Sequence, residues 1–297
     1  GEVNIKTHSE FKRIYPYKNI SSHVVGHVNI DQKGQNGSER YFDNQLSESN
    51  DIYLSIDINL QQLVRESLLE TINFYNAESG LAIVMDINNG QILSSVSLPD
   101  YNPQDKKSYI EKNLINRVFQ SNYEMGSTFK PITATMGFDL DIINPSMTFN
   151  VRKKYLKISD HDKYKDNGIY NVEKIIVESS NIGTAQIATM IGKKNQKMFF
   201  DKLGFNRRLD IENKESAPPL GNKNNWGILE TATIGFGHGF SITPLHLVKA
   251  YATLANLGFE VSPTLQLKKE IGSKRVLLKE KSSKFFLNLL NSVVLKT

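Results

Sequence analysis

Along residues 60–72 apolar side chains recur every three or four positions, and Leu60, Leu63, Val64, Leu68 and Ile72 trace one face of a helix. Asp57 stands where an N-cap belongs, its carboxylate able to accept the helix's first free backbone N–H groups. Just upstream, residues 53–56 alternate as a strand does. Residues 81–85 are apolar throughout, Asn88-Asn89-Gly90 marks a tight turn, and residues 91–97 read as the antiparallel partner strand. A helix followed by such a hairpin predicts a sheet with a helix across one face.

Residues 98–120 keep no sustained period and read as loop. A helical pattern runs from residue 127 to about 138, with Ile132 and Met136 four apart and Pro131 early enough to be tolerated. Residues 139–170 are polar, rich in lysine and aspartate, and irregular; loops of that length inside a domain are usually functional or mobile. Helical spacing returns at Asn171, breaks at Ser179-Ser180-Asn181, and ends at Gly192. A further short helix, 196–203, is closed by Gly204. Thr243 and Pro244 then open a helix whose apolar stripe is Leu245, Val248, Ala252 and Ala255, ending at Gly258. The remainder predicts a strand and an amphipathic helix around 285–290. No internal repeat is present. Residues 1–46 form a separate mixed segment, joined to the rest by the polar stretch 47–50.

A chain of 297 residues with 39% apolar and 23% charged content is ordinary globular composition with room for a substantial core. The net charge of +5 comes from a lysine excess spread along the chain rather than from a basic block interleaved with aromatics, which argues against nucleic-acid binding. It suits residence beside an anionic membrane or polymer. There is no cysteine, so thiol catalysis, disulfides and thiolate metal sites are excluded. His23 and His27 are four apart, but nothing completes a ligand set around them, and they read as structural or surface residues. Gly235-Phe236-Gly237-His238-Gly239 follows no βαβ unit and lacks the spacing of a nucleotide loop. No run of residues is long and apolar enough to span a membrane. The chain opens at Gly1 and stops at Thr297 within an apolar segment, as a piece of a longer protein would.

Chemistry enters at Gly126-Ser127-Thr128-Phe129-Lys130-Pro131. At i and i+3 of a helix, a lysine amine can reach a serine hydroxyl, and a partly desolvated lysine can accept its proton. If Ser127 lies in the first turn, the free N–H groups there favour developing negative charge. Spacing alone is weak: Ser9 and Lys12 repeat it, and either pair could be a helix start with a solvated lysine. Ser179 and Asn181 form a second candidate, a serine able to relay a proton and an amide able to bond a substrate amide; by themselves they could equally be capping residues.

Together, Ser127-x-x-Lys130 and Ser179-x-Asn181 resemble the penicillin-recognising serine enzymes. The flanks sharpen the likeness. Tyr123-Glu124-Met125-Gly126-Ser127-Thr128-Phe129-Lys130-Pro131 and Glu178-Ser179-Ser180-Asn181-Ile182-Gly183-Thr184 look like the first two motifs of class B penicillin-binding proteins. Gly237-His238-Gly239 through Thr243-Pro244-Leu245, with Ala250-Tyr251-Ala252 and Ala255-Asn256, is similar to the division-specific, FtsI-type branch. Arg13 with Tyr15-Pro16, Gly26-His27-Val28 and Phe42-Asp43 resembles the end of that family's N-terminal pedestal.

The resemblance implies an α+β fold. It comprises a five-stranded antiparallel sheet flanked by helices, an all-helical part carrying Ser179, and a pedestal remnant in residues 1–46 ahead of a transpeptidase domain in 47–297. It implies a D,D-transpeptidase of septal cell-wall synthesis acting on D-Ala-D-Ala stem peptides and acylated by β-lactams. Ser127 would be the nucleophile, Lys130 its base and Ser179 a proton relay. Asn181 would hold the substrate amide, and the Ser127 N–H would be half of an oxyanion hole. Neither metal nor cofactor is called for. Other division membrane proteins would be partners, and the site would face the periplasm, anchored by an N-terminal helix outside this chain. The family's third motif, Lys-Thr-Gly, is nowhere complete; Lys296-Thr297 reads as the end of a helix rather than as that motif, so its strand is expected to be missing. Residues 46–53 are shorter than is usual for the family, and Gly37-Ser38-Glu39 replaces Gly-Ile-Glu or Gly-Leu-Glu. A β-lactamase or sensor, and a non-catalytic division scaffold, are the competing readings.

Overall fold

The computed structural model describes residues 12–160, 167–221, 226–267 and 275–296. Ser9 lies outside them, so the second Ser-x-x-Lys pair is not placed. The described chain starts with three short helices, α1 (Ser22–Val25), α2 (Gly37–Tyr41) and α3 (Asp43–Ser47). Polar contacts fasten them to the later 99–113 loop. The Tyr101 hydroxyl donates to the Ser22 carbonyl at 3.2 Å and receives Asn36 Nδ2 at 3.0 Å. His23 Nε2 donates to the Asn113 carbonyl at 2.7 Å, and His27 Nδ1 lies 3.2 Å from the Tyr101 hydroxyl. Both histidines are therefore structural.

Asp57 caps α4 (Ile58–Tyr75), accepting from the Asn59 and Leu60 amides at 3.0 and 3.1 Å. The hairpin follows as β1 (Gly80–Met85) and β2 (Ile92–Leu98), paired antiparallel with Gly80 opposite Leu98, and a one-turn helix, α5 (Glu111–Leu114), comes after it. Buried Gln61 locks α4 onto β2: its amide nitrogen donates to the Ser95 carbonyl at 2.9 Å and its oxygen accepts from Ser94 Oγ and the Ser95 amide. The expected strand at 53–56 is reduced to a single bridge, Leu54 with Gln266. Two backbone bonds flank it, Ser55 to Leu265 and Leu267 to Tyr53.

Among the described residues the expected five-stranded sheet is not formed. The antiparallel strands make three small sheets: β1-β2; β4 (Thr148–Asn150) with β5 (Ile169–Asn171); and β3 (Tyr123–Glu124), β7 (Phe240–Ile242) and β6 (Leu220–Gly221) in the order β3-β7-β6. The shortfall is visible at β1, which pairs β2 on one edge only and is half-buried at all six positions. Beside it runs an apolar groove of about 500 Å³, lined by Met85, Val248, Tyr251, Ala252, Phe286 and Leu290.

The helical part carries the main core. In α6 (Lys130–Asp139), Ile132 and Met136 are fully buried and pack with Ile187 and Ile191 of α8 (Asn181–Leu203). That helix is two stretches meeting at Gly192, whose φ of 75° no helix contains, so the glycine breaks the helix where the sequence expects. Around them lie α7 (Val172–Val177), α9 (Ile228–Gly235) and α10 (Pro244–Ala255). Finally α11 (Glu280–Lys296) is held by Asp139, which accepts from the Lys279 amide at 2.9 Å and Ser282 Oγ at 2.7 Å. No helix among the described residues is long and apolar enough to cross a membrane.

Candidate active site

Ser127 sits on a single 3-10 turn, Gly126–Phe129, that runs straight into α6. The helical pattern running from residue 127 predicts an α-helical start there. The tighter form has a covalent cause: an α-type bond to the Ser127 carbonyl would have to come from Pro131, which has no N–H. The Lys130 amide, one residue nearer, takes that carbonyl instead.

Lys130 is 2% exposed, and its side chain runs inward to the turn between α7 and α8. Nζ donates to the Ser179 carbonyl and, at 2.8 Å, to Ser179 Oγ. Ser179 Oγ in turn lies 3.1 Å from Ser127 Oγ, to which it donates. The bonded path between lysine and nucleophile therefore passes through Ser179, where the i, i+3 spacing suggested direct reach. Burial draws the Lys130 amine down from 10.5 to about 8, partly opposed by the negative charge of Asp160.

Ser179 holds a φ of 53°, a left-handed conformation that is rare and strained for a residue with a Cβ. Its neighbour Ser180 is the N-cap of α8, accepting from the Gly183 amide at 3.0 Å and donating to Asp160 Oδ2 at 2.6 Å. Asn181 is the first residue of α8, half-buried beside Ser179. Ser127, Lys130 and Ser179 are thus joined by hydrogen bonds, with Asn181 two residues along the same turn. Lys296 is elsewhere: it ends α11 and pairs with Glu173.

Several contacts position the Ser127 turn, and the sequence did not single out the residues making them as site residues. The Gly126 amide donates to the Gly237 carbonyl at 3.1 Å, and the two glycines pack backbone to backbone. The Gly239 amide donates to Glu124 Oε1 at 2.8 Å, and Tyr251 Oη donates to the Thr128 carbonyl at 2.6 Å. Asp160 carries no sequence signal beyond membership of a long polar loop.

Comparison with known proteins identifies the family. The penicillin-binding protein transpeptidase domain matches residues 80–297. The chain is 31% identical to a Caulobacter vibrioides protein named "Probable peptidoglycan D,D-transpeptidase FtsI", covering 89% of this chain and 46% of that protein. Among solved structures, the transpeptidase domain of Burkholderia pseudomallei penicillin-binding protein 3 superposes with a TM-score of 0.71 at 25% identity, over 82% of this chain and 70% of that one. Mycobacterium tuberculosis penicillin-binding protein 3 shares the fold, with a TM-score of 0.84 at 20% identity over 95% of this chain and 69% of that one. The chain spans about half the length of the curated relatives it matches. It belongs to the penicillin-binding protein transpeptidase family, as a class B member of the FtsI type.

Proposed function

We propose that this chain carries the acyl-transfer centre of a septal peptidoglycan D,D-transpeptidase, with Ser127 as nucleophile. The observation that supports it most is the continuous hydrogen-bonded path Ser127–Ser179–Lys130, ending on a lysine buried enough to be neutral at an accessible pH. With Lys130 neutral, the path can run in the other direction. Ser127 gives its proton to Ser179, and Ser179 passes its own to Nζ as Ser127 Oγ attacks the penultimate D-alanine carbonyl of a stem peptide. On collapse of the tetrahedral intermediate, the C–N bond breaks and the relay returns a proton to the departing D-alanine amine. The acyl-enzyme then passes to an amine on a neighbouring strand. Asn181, at the start of α8, offers a donor and an acceptor to the substrate amide, and the Ser127 amide can serve as half of an oxyanion hole.

β-Lactams are substrates of the first half-reaction in this scheme, because their strained amide takes the place of the scissile peptide. The proposed role is septal, at the periplasmic face of the inner membrane and among other division proteins, as the resemblance to FtsI-type proteins implies. The test is intact mass after incubation with benzylpenicillin, with Ser127→Ala alongside. A stable adduct absent from the variant supports the assignment. Rapid turnover of the drug makes the protein a β-lactamase. An adduct only on a chain extended past Thr297 assigns the other half of the oxyanion hole to later residues. No adduct on either chain favours a non-catalytic scaffold.

A further inference from the structure

Asp160 is the acidic group at the site that the scheme above leaves unused. Its placement is built from several contacts. Just before it the chain folds back on itself: the Tyr155 and Ile158 amides exchange bonds with each other's carbonyls at 3.1 and 2.7 Å, across Leu156 and Lys157 with φ of 48° and 70°. This small hairpin is pinned to α8. Tyr155 Oη lies 2.8 Å from Thr189 Oγ1, and Tyr155, Leu156 and Ile158 pack on Ala185, Ala232 and Phe236. The segment leaving it carries Asp160 to the start of the same helix. There Oδ2 accepts from Ser180 Oγ at 2.6 Å and Oδ1 from the Ile182 amide at 3.0 Å.

These bonds bracket Asn181 and follow directly on Ser179. Ser180 is 2% exposed, so its hydroxyl has no solvent to fall back on. Ser179 itself is in a strained φ that persists only if its surroundings impose it. A carboxylate is also well placed electrostatically at the first turn of a helix. We propose that Asp160 is a positioning residue for acyl transfer, its carboxylate clamping the Ser179–Ile182 turn in the geometry that joins Ser179 to Lys130 and Ser127. The inference rests on the acyl-transfer reading and adds to it the group that holds the relay in place.

The same charge acts on Lys130. Other charged groups stand on the elements around that lysine: exposed Glu178 at the end of α7, exposed His238 before β7, Glu124 on β3 bonded to Gly239, and Asp139 at the far end of α6 bonded to α11. Of the described residues, Asp160 is the one whose field raises Lys130 against its burial. Neutralising Asp160 therefore makes Lys130 easier to deprotonate, while removing its oxygens frees the turn. The two effects have different signatures.

The experiment uses the whole chain with Asp160→Asn and Asp160→Ala. It follows benzylpenicillin acylation from pH 6 to 9.5, the titration of Lys130 by NMR of 13Cε-labelled lysine, and hydrogen exchange at the Ile182 amide. Asp160→Asn keeps an acceptor for Ile182 and loses the charge. It should retain most of the high-pH acylation rate and move both the acid limb and the Lys130 midpoint to lower pH. Asp160→Ala should lower the high-pH rate about tenfold or more and speed Ile182 exchange at least about tenfold. If Asp160→Ala merely lowers Tm, and its folded fraction reacts at the parent rate with the parent pH limb, the positioning role is wrong. Absence of acylation both in the parent chain and in a chain extended past Thr297 would defeat the acyl-transfer reading instead. The Lys130 midpoint and Ile182 exchange would then still decide the clamp, and unchanged values in both variants would overturn it.

Discussion

Replacing Gly237 by alanine should damage the site through the backbone alone. Gly237 has a φ of 84°, a left-handed conformation that costs a side chain about 1–2 kcal/mol. A Cβ there would stand 2.3 Å from the Gly126 carbonyl oxygen and 2.5 Å from its amide nitrogen, so the two backbones must part. The 3.1 Å bond from the Gly126 amide to the Gly237 carbonyl goes with them, a further loss of about 1 kcal/mol. We expect unfolding in urea to be easier by about 2–3 kcal/mol. Ser127 follows Gly126 directly, and a displacement near 1 Å at a reacting group can cost about a hundredfold in rate, so acylation by the folded protein should fall at least about tenfold. Gly239→Ala is the control: its φ is 78°, but an added Cβ meets only Thr233 Oγ1, at 3.8 Å. That variant should show the conformational cost of about 1–2 kcal/mol and little more. Equal effects from the two substitutions, or parent-like acylation in Gly237→Ala, would refute the claim that this backbone contact sets the nucleophile.

Acylation should rise about tenfold per pH unit up to about 8 and level off above, because burial holds Lys130 there; at pH 7 about a tenth of the molecules carry the neutral amine, against fewer than about one in a thousand for a solvated lysine. A midpoint near 10.5 or a flat profile in stopped-flow acylation would rule out Lys130 as the base. His246 is fully buried, its Nε2–H given to the Arg207 carbonyl and its Nδ1 facing Thr243 Oγ1, and burial lowers it from 6.5 to about 4. The unfolded chain protonates there first, so stability should be intact above pH 6.5 and fall by about 3 kcal/mol as the pH drops from 6.5 to 4; urea midpoints across that window check it, and His246→Gln should flatten this part of the curve. Tyr251→Phe removes the 2.6 Å bond to the Thr128 carbonyl, and should cost about 1 kcal/mol in urea and a several-fold slower acylation.

Local signals were the legible ones. Asp57 as a cap, Gly192 as a helix break, Gly204 as a helix end, and Thr243-Pro244 as a helix start each depend on conformational preferences of one or two residues, and each is found where the sequence puts it. The larger sheet was not legible in the same way. It came from resemblance, and strand pairing is a non-local choice, so the open edge of β1 appears only once α10 and α11 are placed beside it. Ser127 and Lys130 were nominated by spacing, which specifies a shared face and says nothing of depth or partner.

The property that would make Lys130 a base is contributed from outside its helix. Its bonded route to Ser127 runs through a turn some fifty residues downstream. That turn is strained at Ser179 and bonded at Ser180 and Ile182 to a carboxylate from a third segment. A neutral lysine is costly to keep dry unless its donors are satisfied, and Ser179 satisfies two of them with one residue only while its φ stays left-handed. The strain at Ser179 and the bonding of Lys130 therefore belong to one arrangement. A change that relaxes the turn should break the relay at both of its links in the same step, which neither the Ser-x-x-Lys nor the Ser-x-Asn pattern expresses alone.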